Sequence, residues 1–145
     1  MDLGNPVITA LVGLVVFYIG LKMFSGGMKS MGNMDHLSYF THNPFWMFLG
    51  GIVMTLLWQS SSLSTTAIIA LVASGAVPLP AAIAAVLGAN IGTTGTIWLA
   101  GILVSDGMPK GDTLRIAMAH TGVNLFMAAT LLPFVHHIAR FLSRF

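Results

Sequence analysis

Thirty-four residues, Pro44 to Val77, form one apolar stretch broken in its middle by Gln59-Ser60-Ser61-Ser62-Leu63-Ser64-Thr65-Thr66, where seven of eight side chains are uncharged hydrogen-bonding groups. As a single helix the stretch would run about 50 Å, too long for one ordinary crossing of a hydrocarbon core about 30 Å thick. Split at the polar island, Phe45 to Trp58 reaches about 21 Å and Ala67 to Val77 about 17 Å, so neither half crosses alone. A re-entrant helical hairpin over 44–77, with the island at its tip near mid-membrane, reconciles both lengths. A steeply tilted or broken spanning helix is the competing reading. In hydrocarbon an unpaired polar group costs several kcal/mol, so such a cluster persists only where it is buried in protein, lines a wet cavity or binds something.

Composition supports the membrane premise. Hydrophobic residues make up 56% of the 145 and charged ones 7%, the mean hydropathy is +0.88, and all four acidic residues are Asp. The six Lys and Arg (Lys22, Lys29, Lys110, Arg115, Arg140, Arg144) are too dispersed to track a phosphate backbone, which sets nucleic acid aside. No cysteine is present, so disulfides, thiolate metal sites and cysteine nucleophiles are excluded. The start, Met1-Asp2, lacks a positive n-region, and the first apolar run reads as an uncleaved membrane helix.

That first span covers 6–24, about 28 Å of helix. Residues 25–43 turn polar and Gly-rich, with Met28, Met31, Met34, Leu37 and Phe40 at helical spacing beside Lys29, Asp35 and His36, as in an amphipathic interfacial segment. Pro78 and Pro80 close the hairpin. Ala81 to Val104 (81–104) is long enough to span at roughly 36 Å. At its centre, Gly88-Ala89-Asn90-Ile91-Gly92-Thr93-Thr94-Gly95-Thr96 gathers three Gly, three Thr and an Asn, which predicts a helix broken at mid-membrane. A short polar loop, Ser105 to Asp112, leads to a last span over 113–135 and a basic, aromatic end, His136 to Phe145, suited to an interface.

Two interrupted helices would expose carbonyls at Leu56 to Gln59 and Val86 to Ala89, which suit a hard cation such as Na⁺. They would also expose N–H groups around Ser62 to Thr65 and Thr93 to Thr96, which suit an anion; Ser and Thr hydroxyls can serve either. Helix packing is the plainer explanation for Gly50, Gly51 and Gly75. His120 and Asn124, four apart on the last helix, read as an interhelical hydrogen bond rather than an ion contact, and Arg115 as an interface anchor. An enzyme is not expected: no Gly-x-Ser-x-Gly is present, nothing ties His120 or Asp106 to Ser60–Ser62, and His136-His137 lacks partners at metal spacing.

Gln59-Ser60-Ser61-Ser62 with Ser64-Thr65-Thr66, then Gly88-Ala89-Asn90-Ile91-Gly92-Thr93-Thr94, Ala119-His120 with Asn124, and Thr41-His42-Asn43-Pro44 resemble the type II sodium-dependent phosphate cotransporter family (Na/Pi-cotransporter) from about Gly20 to Pro133. The resemblance implies a Gln-Ser-Ser-Ser motif at a re-entrant hairpin tip and a Gly-Ala-Asn-Ile-Gly-Thr-Thr motif in an unwound membrane helix. It implies phosphate binding by Ser60, Ser61, Ser62, Thr93 and Thr94, and Na⁺ binding by Gln59, Ser64, Thr65, Asn90 and Thr94. Leu63 departs from the small residue usual at its position. The larger departure is that the family carries the motif set twice, in two inverted halves, whereas this chain carries it once.

The expected protein is therefore an all-α integral membrane protein of one inverted-repeat unit: three transmembrane helices, one broken at mid-membrane, and a re-entrant hairpin. It would take up inorganic phosphate with Na⁺ as coupling ion and no cofactor, in the inner or plasma membrane, by alternating access. Two copies would complete the site, and three crossings per copy make that homodimer antiparallel. The alternatives are transport of sulfate or arsenate, or a scaffold or sensor subunit that transports nothing.

Overall fold

The computed structural model describes residues 5–31, 35–104 and 110–145, and regular structure among them is entirely helical. The order is α1 (Pro6–Met31), α2 (Asp35–His42), α3 (Pro44–Trp58), α4 (Ser61–Ala73), α5 (Leu79–Val104), α6 (Gly111–Leu131), a 3-10 turn at Leu132–Phe134, and α7 (Val135–Leu142). Among the described residues three segments are long and apolar enough to cross a membrane: Pro6–Gly27, Leu79–Leu99 and Gly111–Leu142. Residues 105–109 of the loop expected over 105–112 and the side chains of Met28, Met31, Met34 and Leu37 lie outside the described residues, and Gly111 and Asp112 already belong to α6.

The stretch 44–77 folds as two short helices, as its length requires. Asn43 caps α3 by accepting from the Phe45 N–H at 2.9 Å, and Pro44 occupies the first turn, where its missing N–H costs nothing. Gln59 ends α3 in the left-handed region (φ 53°, ψ 27°) and Ser60 opens α4 in an extended conformation, so the chain turns within two residues. The halves then run back along each other. Thr55 Oγ1 donates to Ser64 Oγ at 2.9 Å near the turn, and at the far end Met47 packs on the cluster of Ile68 and Leu71. The other end of α4 is a Schellman motif: Ala76 N–H reaches Leu71 O and Gly75 N–H reaches Val72 O, with Gly75 at φ +75°. Gly75 thus serves a turn, not the helix contact expected of it.

Helix α5 is the hub. Ala81, Ala82 and Ala85 bury against Ile68, Leu71 and Val77, while Ala84 and Leu87 bury against Ala128 and Val135 from α6 and α7. A stripe that overlaps the first of these faces carries a repeat of small residues, Ala81, Ala85, Gly88, Gly92 and Gly95, spaced alternately four and three apart. This stripe receives α3 backbone to backbone. A methyl at Gly51 would land on the Ala85 carbonyl oxygen, one at Gly88 on the Phe48 carbonyl oxygen, and one at Gly92 within 2.7 Å of Thr55 Cβ. Contact positions advance together along both chains, so α3 and α5 run in the same direction and the hairpin turn lies just beyond the level of Gly95. Of the glycines read as contacts, Gly51 is one, whereas Gly50 faces open space.

The break expected at mid-membrane in 81–104 is absent: α5 is one helix of 26 residues through Gly88–Thr96. Two facts account for the difference. The glycines are needed for close approach of α3 rather than for unwinding, and the threonines pair within the helix, Thr93 Oγ1 to Ala89 O at 3.0 Å and Thr94 Oγ1 to Ile91 O at 2.8 Å. The carbonyl and N–H ends expected at Val86–Ala89 and Thr93–Thr96 therefore do not exist in this structure.

If the glycine face carries the packing, Gly88→Ala must push α3 and α5 apart despite a gain in helix propensity. It should destabilise the protein by roughly 1–3 kcal/mol, the scale of overpacking a tight contact. Gly13→Ala, which meets only open space, should be neutral or stabilising by up to about 1 kcal/mol. Unfolding in detergent, followed by circular dichroism, checks the pair.

Candidate functional site

The polar island divides into groups with partners and groups without. Ser60 Oγ caps α4 by accepting from the Leu63 N–H at 3.2 Å, and the Ser60 carbonyl takes both the backbone N–H and the hydroxyl of Ser64. Ser64, fully buried, accepts in turn from Thr55, and Gly92 sits against Thr55. One hydroxyl pair therefore ties α4 to α3 where α3 meets α5. Gln59 folds its amide back onto the Leu56 carbonyl, and Thr66 donates to Ser62 O at 2.8 Å.

What is left over points one way. The side chains of Ser61, Ser62, Thr65 and Asn90 make no hydrogen bond among the described residues, and none of the four is buried. By helical spacing Ser61, Ser62 and Thr65 continue the stripe of Ile68, Ile69 and Val72 on α4, while Asn90 and Thr93 continue that of Ile83 and Val86 on α5. Those apolar residues line an open cavity of about 420 Å³ between the two helices. The cleft is thus apolar toward the hairpin mouth and polar toward the tip. At the tip the N–H groups of Ser61 and Ser62, in the first turn of α4, have no intrahelical acceptor; among the last carbonyls of α3, Thr55 O takes the Gln59 N–H and Leu56 O its side-chain amide, which leaves those of Leu57 and Trp58 without an intrahelical donor. Partial positive and partial negative ends therefore adjoin within a few residues.

The nine positions expected to bind do not all fall here. By helical register Ser61, Ser62, Thr65, Asn90 and Thr93 lie toward the tip end of the cleft, and Gln59 and Ser60 form the turn beside it. Ser64 and Thr94 are buried, at 0% and 4% exposure, with their hydroxyls engaged in the protein. Leu63 lines a separate cavity with Phe17, Phe24 and Trp58, so the bulk that departs from the usual small residue packs toward α1. Asn124 does not bond across helices: its Nδ2 donates to the carbonyl of His120 in its own helix at 2.8 Å, and His120 Nδ1 is buried without a partner. The interhelical bond of α6 is made by Thr121, which accepts from Trp98 Nε1 at 3.0 Å. Thr121 and Thr55 escaped the sequence reading. Each is a polar residue within an apolar helix, which in a membrane protein implies a partner. No His, Asp or Glu cluster able to hold a metal exists among the described residues.

The Na+/Pi-cotransporter family model matches residues 8–145. Sodium-dependent phosphate transport protein 2A of Ovis aries is 30% identical over 144 residues, covering 88% of this chain and 22% of the relative. Sodium-dependent phosphate transport protein 2B of Homo sapiens is 29% identical over 130 residues, covering 85% and 19%. A bacterial relative, uncharacterized protein YqeW of Bacillus subtilis, is 32% identical over 94 residues, covering 62% and 31%. The chain spans about a fifth of the length of the transport proteins it matches. No solved structure matches it. With the match running through both polar motifs and nearly the whole chain, this protein belongs to the Na+/Pi-cotransporter family.

Proposed function

We propose that the chain is a sodium-coupled transporter of inorganic phosphate that works as an antiparallel pair of identical copies in the inner or plasma membrane. The observation that carries this reading is the half-built polar cleft: Ser61, Ser62, Thr65 and Asn90 present unpaired groups beside a helix N-terminus, in a member of a family whose relatives are named for sodium-dependent phosphate transport. Phosphate sits at the first turn of α4, held by the Ser61 and Ser62 N–H and hydroxyl groups with Ser60 and Thr93 beside them. Na⁺ sits toward the end carbonyls of α3, with Gln59, Thr65 and Asn90 supplying further oxygens. Ser64 and Thr94 act by holding the tip rather than by touching either ion.

The hairpin is re-entrant on this reading. Its turn lies at the level just past Gly95, and α5 continues for nine residues to Val104, so both short helices enter and leave at the end where α5 begins. The cleft is open on the side away from α3, and a second copy related by a two-fold axis in the membrane plane would cover it and present its own tip. The two hairpins then gate the site from opposite faces, by alternating access.

Three expectations test the proposal. Counterflow in proteoliposomes should carry phosphate only with Na⁺, because adjacent cation and anion favour each other, typically by 1–3 kcal/mol; equal uptake with choline as the only cation defeats the mechanism. Sulfate or arsenate competing as well as phosphate would reassign the substrate, and no uptake at all would favour a scaffold or sensor. Ser61→Ala or Ser62→Ala should weaken phosphate binding by about 1–2 kcal/mol, the scale of one hydrogen bond to a charged group, while Ser143→Ala, at the exposed C-terminal end, should have no effect.

The third expectation concerns orientation. Lys22, Lys29, Arg140 and Arg144 belong to one end of the bundle and Lys110 and Arg115 to the other, a four-to-two division too weak to fix the orientation. Single cysteines at Thr113 and Ser143, labelled from outside intact cells, should each react in part of the population. One site fully labelled and the other fully protected would eliminate the antiparallel pair.

A further inference from the structure

We propose that the groove between α1 and α4 binds one anionic phospholipid, its headgroup at Lys22 and an acyl chain running toward the hairpin tip. Two cavities that share Leu21 form this groove. The one near the tip, about 220 Å³, is walled by Phe17, Phe24, Trp58, Leu63 and Ala67 and is wholly apolar in its lining; Phe24 and Trp58 meet edge to face at 6.1 Å across it. The one near the hairpin mouth, about 510 Å³, is lined by Tyr18, Lys22, Ser25, Ala73 and Ser74. Apolar and polar ends therefore follow each other along one groove, the division found within a phospholipid. From Leu63 to Ser74, α4 rises about 16 Å, close to the roughly 15 Å that one leaflet contributes to the hydrocarbon core.

The polar end also selects a headgroup. Lys22 is the one charged side chain lining either cavity, so its ammonium meets no carboxylate there. Ser25 Oγ donates to Ala70 O at 2.9 Å and Ser74 Oγ to Leu71 O at 3.0 Å, so both hydroxyl protons are engaged and their oxygens can only accept. The groove thus offers donors for a phosphate, from Lys22 and the Tyr18 hydroxyl, beside acceptors for a headgroup bearing its own O–H donors. Phosphatidylglycerol meets both demands. Phosphatidylcholine meets only the first, and its choline brings a positive charge toward Lys22. Basic pockets between membrane helices bind anionic headgroups on this principle, with each Lys or Arg contributing on the order of 1 kcal/mol.

Native mass spectrometry of the purified protein, offered an equimolar mixture of the two lipids, tests this independently of phosphate transport. Wild type should retain phosphatidylglycerol about five-fold over phosphatidylcholine, the preference one lysine supplies. Lys22→Gln should bring the ratio near one. Gly20→Leu, whose side chain enters the apolar cavity from a position with open space around it, should lower retention of both lipids. Equal retention by wild type, a preference that survives Lys22→Gln, or unchanged retention in Gly20→Leu each overturns the proposal. So would release of phosphatidylglycerol by inorganic phosphate but not by sodium chloride of matched ionic strength, which would mark a site for the free anion.

Discussion

Everything distinctive about this chain depends on how closely α3 can approach α5. Gly51, Gly88, Gly92 and Gly95 remove the side chains that would otherwise hold the two helices apart; carbonyl oxygens occupy the space where a Cβ would be at Gly51 and Gly88, and the Thr55 and Leu56 side chains fill it at Gly92 and Gly95. In lipid, apolar side chains gain little by leaving one hydrocarbon surface for another, so dispersion contacts between close backbones take over the role of burial. Each glycine in α5 costs about 1 kcal/mol of helix propensity against alanine. That cost is offset only if α3 stays in contact along the whole glycine face, which fixes the depth of the hairpin. Hairpin depth then decides where the tip falls, and the tip is the candidate site.

Hydrogen bonding sorts the remaining polar residues. Thr55, Ser64, Thr93 and Thr94 each satisfy their hydroxyl inside the chain, and Ser60 serves as an N-cap. Such groups stabilise and orient; an ion would have to displace an existing bond to reach them. Ser61, Ser62, Thr65 and Asn90 have no such bond to lose, so they are better placed to exchange water for an ion. The distinction separates framework from ligand among residues that look alike in sequence. On the proposed reading Ser64 and Thr94, which are buried as well, support the tip, whereas Ser60 and Thr93 stay half-exposed at its edge.

The hairpin was legible in the sequence because two independent quantities, a length of 34 residues and a central polar octet, admitted few solutions. Asn43-Pro44 marked where α3 begins, and Pro78 and Pro80 where the hairpin ends. The supposed break in α5 was not legible, for a specific reason. Glycine permits both an unwound backbone and a close helix contact, and threonine can bond either a ligand or its own helix, so Gly88–Thr96 carried two readings with one composition. The discriminating fact is the spacing of Gly88, Gly92 and Gly95 on one face in continuation of Ala81 and Ala85, and that periodicity matters only once a partner helix is known to lie along it. His120 and Asn124 failed similarly: four-residue spacing places them on one face but cannot say whether an amide turns to a neighbouring helix or to its own backbone.

An unbroken α5 changes how a site of this kind must be built. Its carbonyls between Gly88 and Thr96 are committed to the helical ladder, so on the proposed function backbone oxygens for a cation would come from the end of α3, and N–H groups for an anion from the start of α4. Both sets lie on either side of Gln59, the one non-glycine residue with positive φ among those described. The left-handed turn there costs roughly 1 kcal/mol or more, yet it is what places the C-terminal end of one helix dipole next to the N-terminal end of another. Side by side, the two ends largely cancel when the site is empty, and each becomes attractive when its counterpart is occupied. On the proposed function, coupling between cation and anion would be a property of the turn itself. It would require no relay through α5, whose close packing on α3 sets the depth of the hairpin.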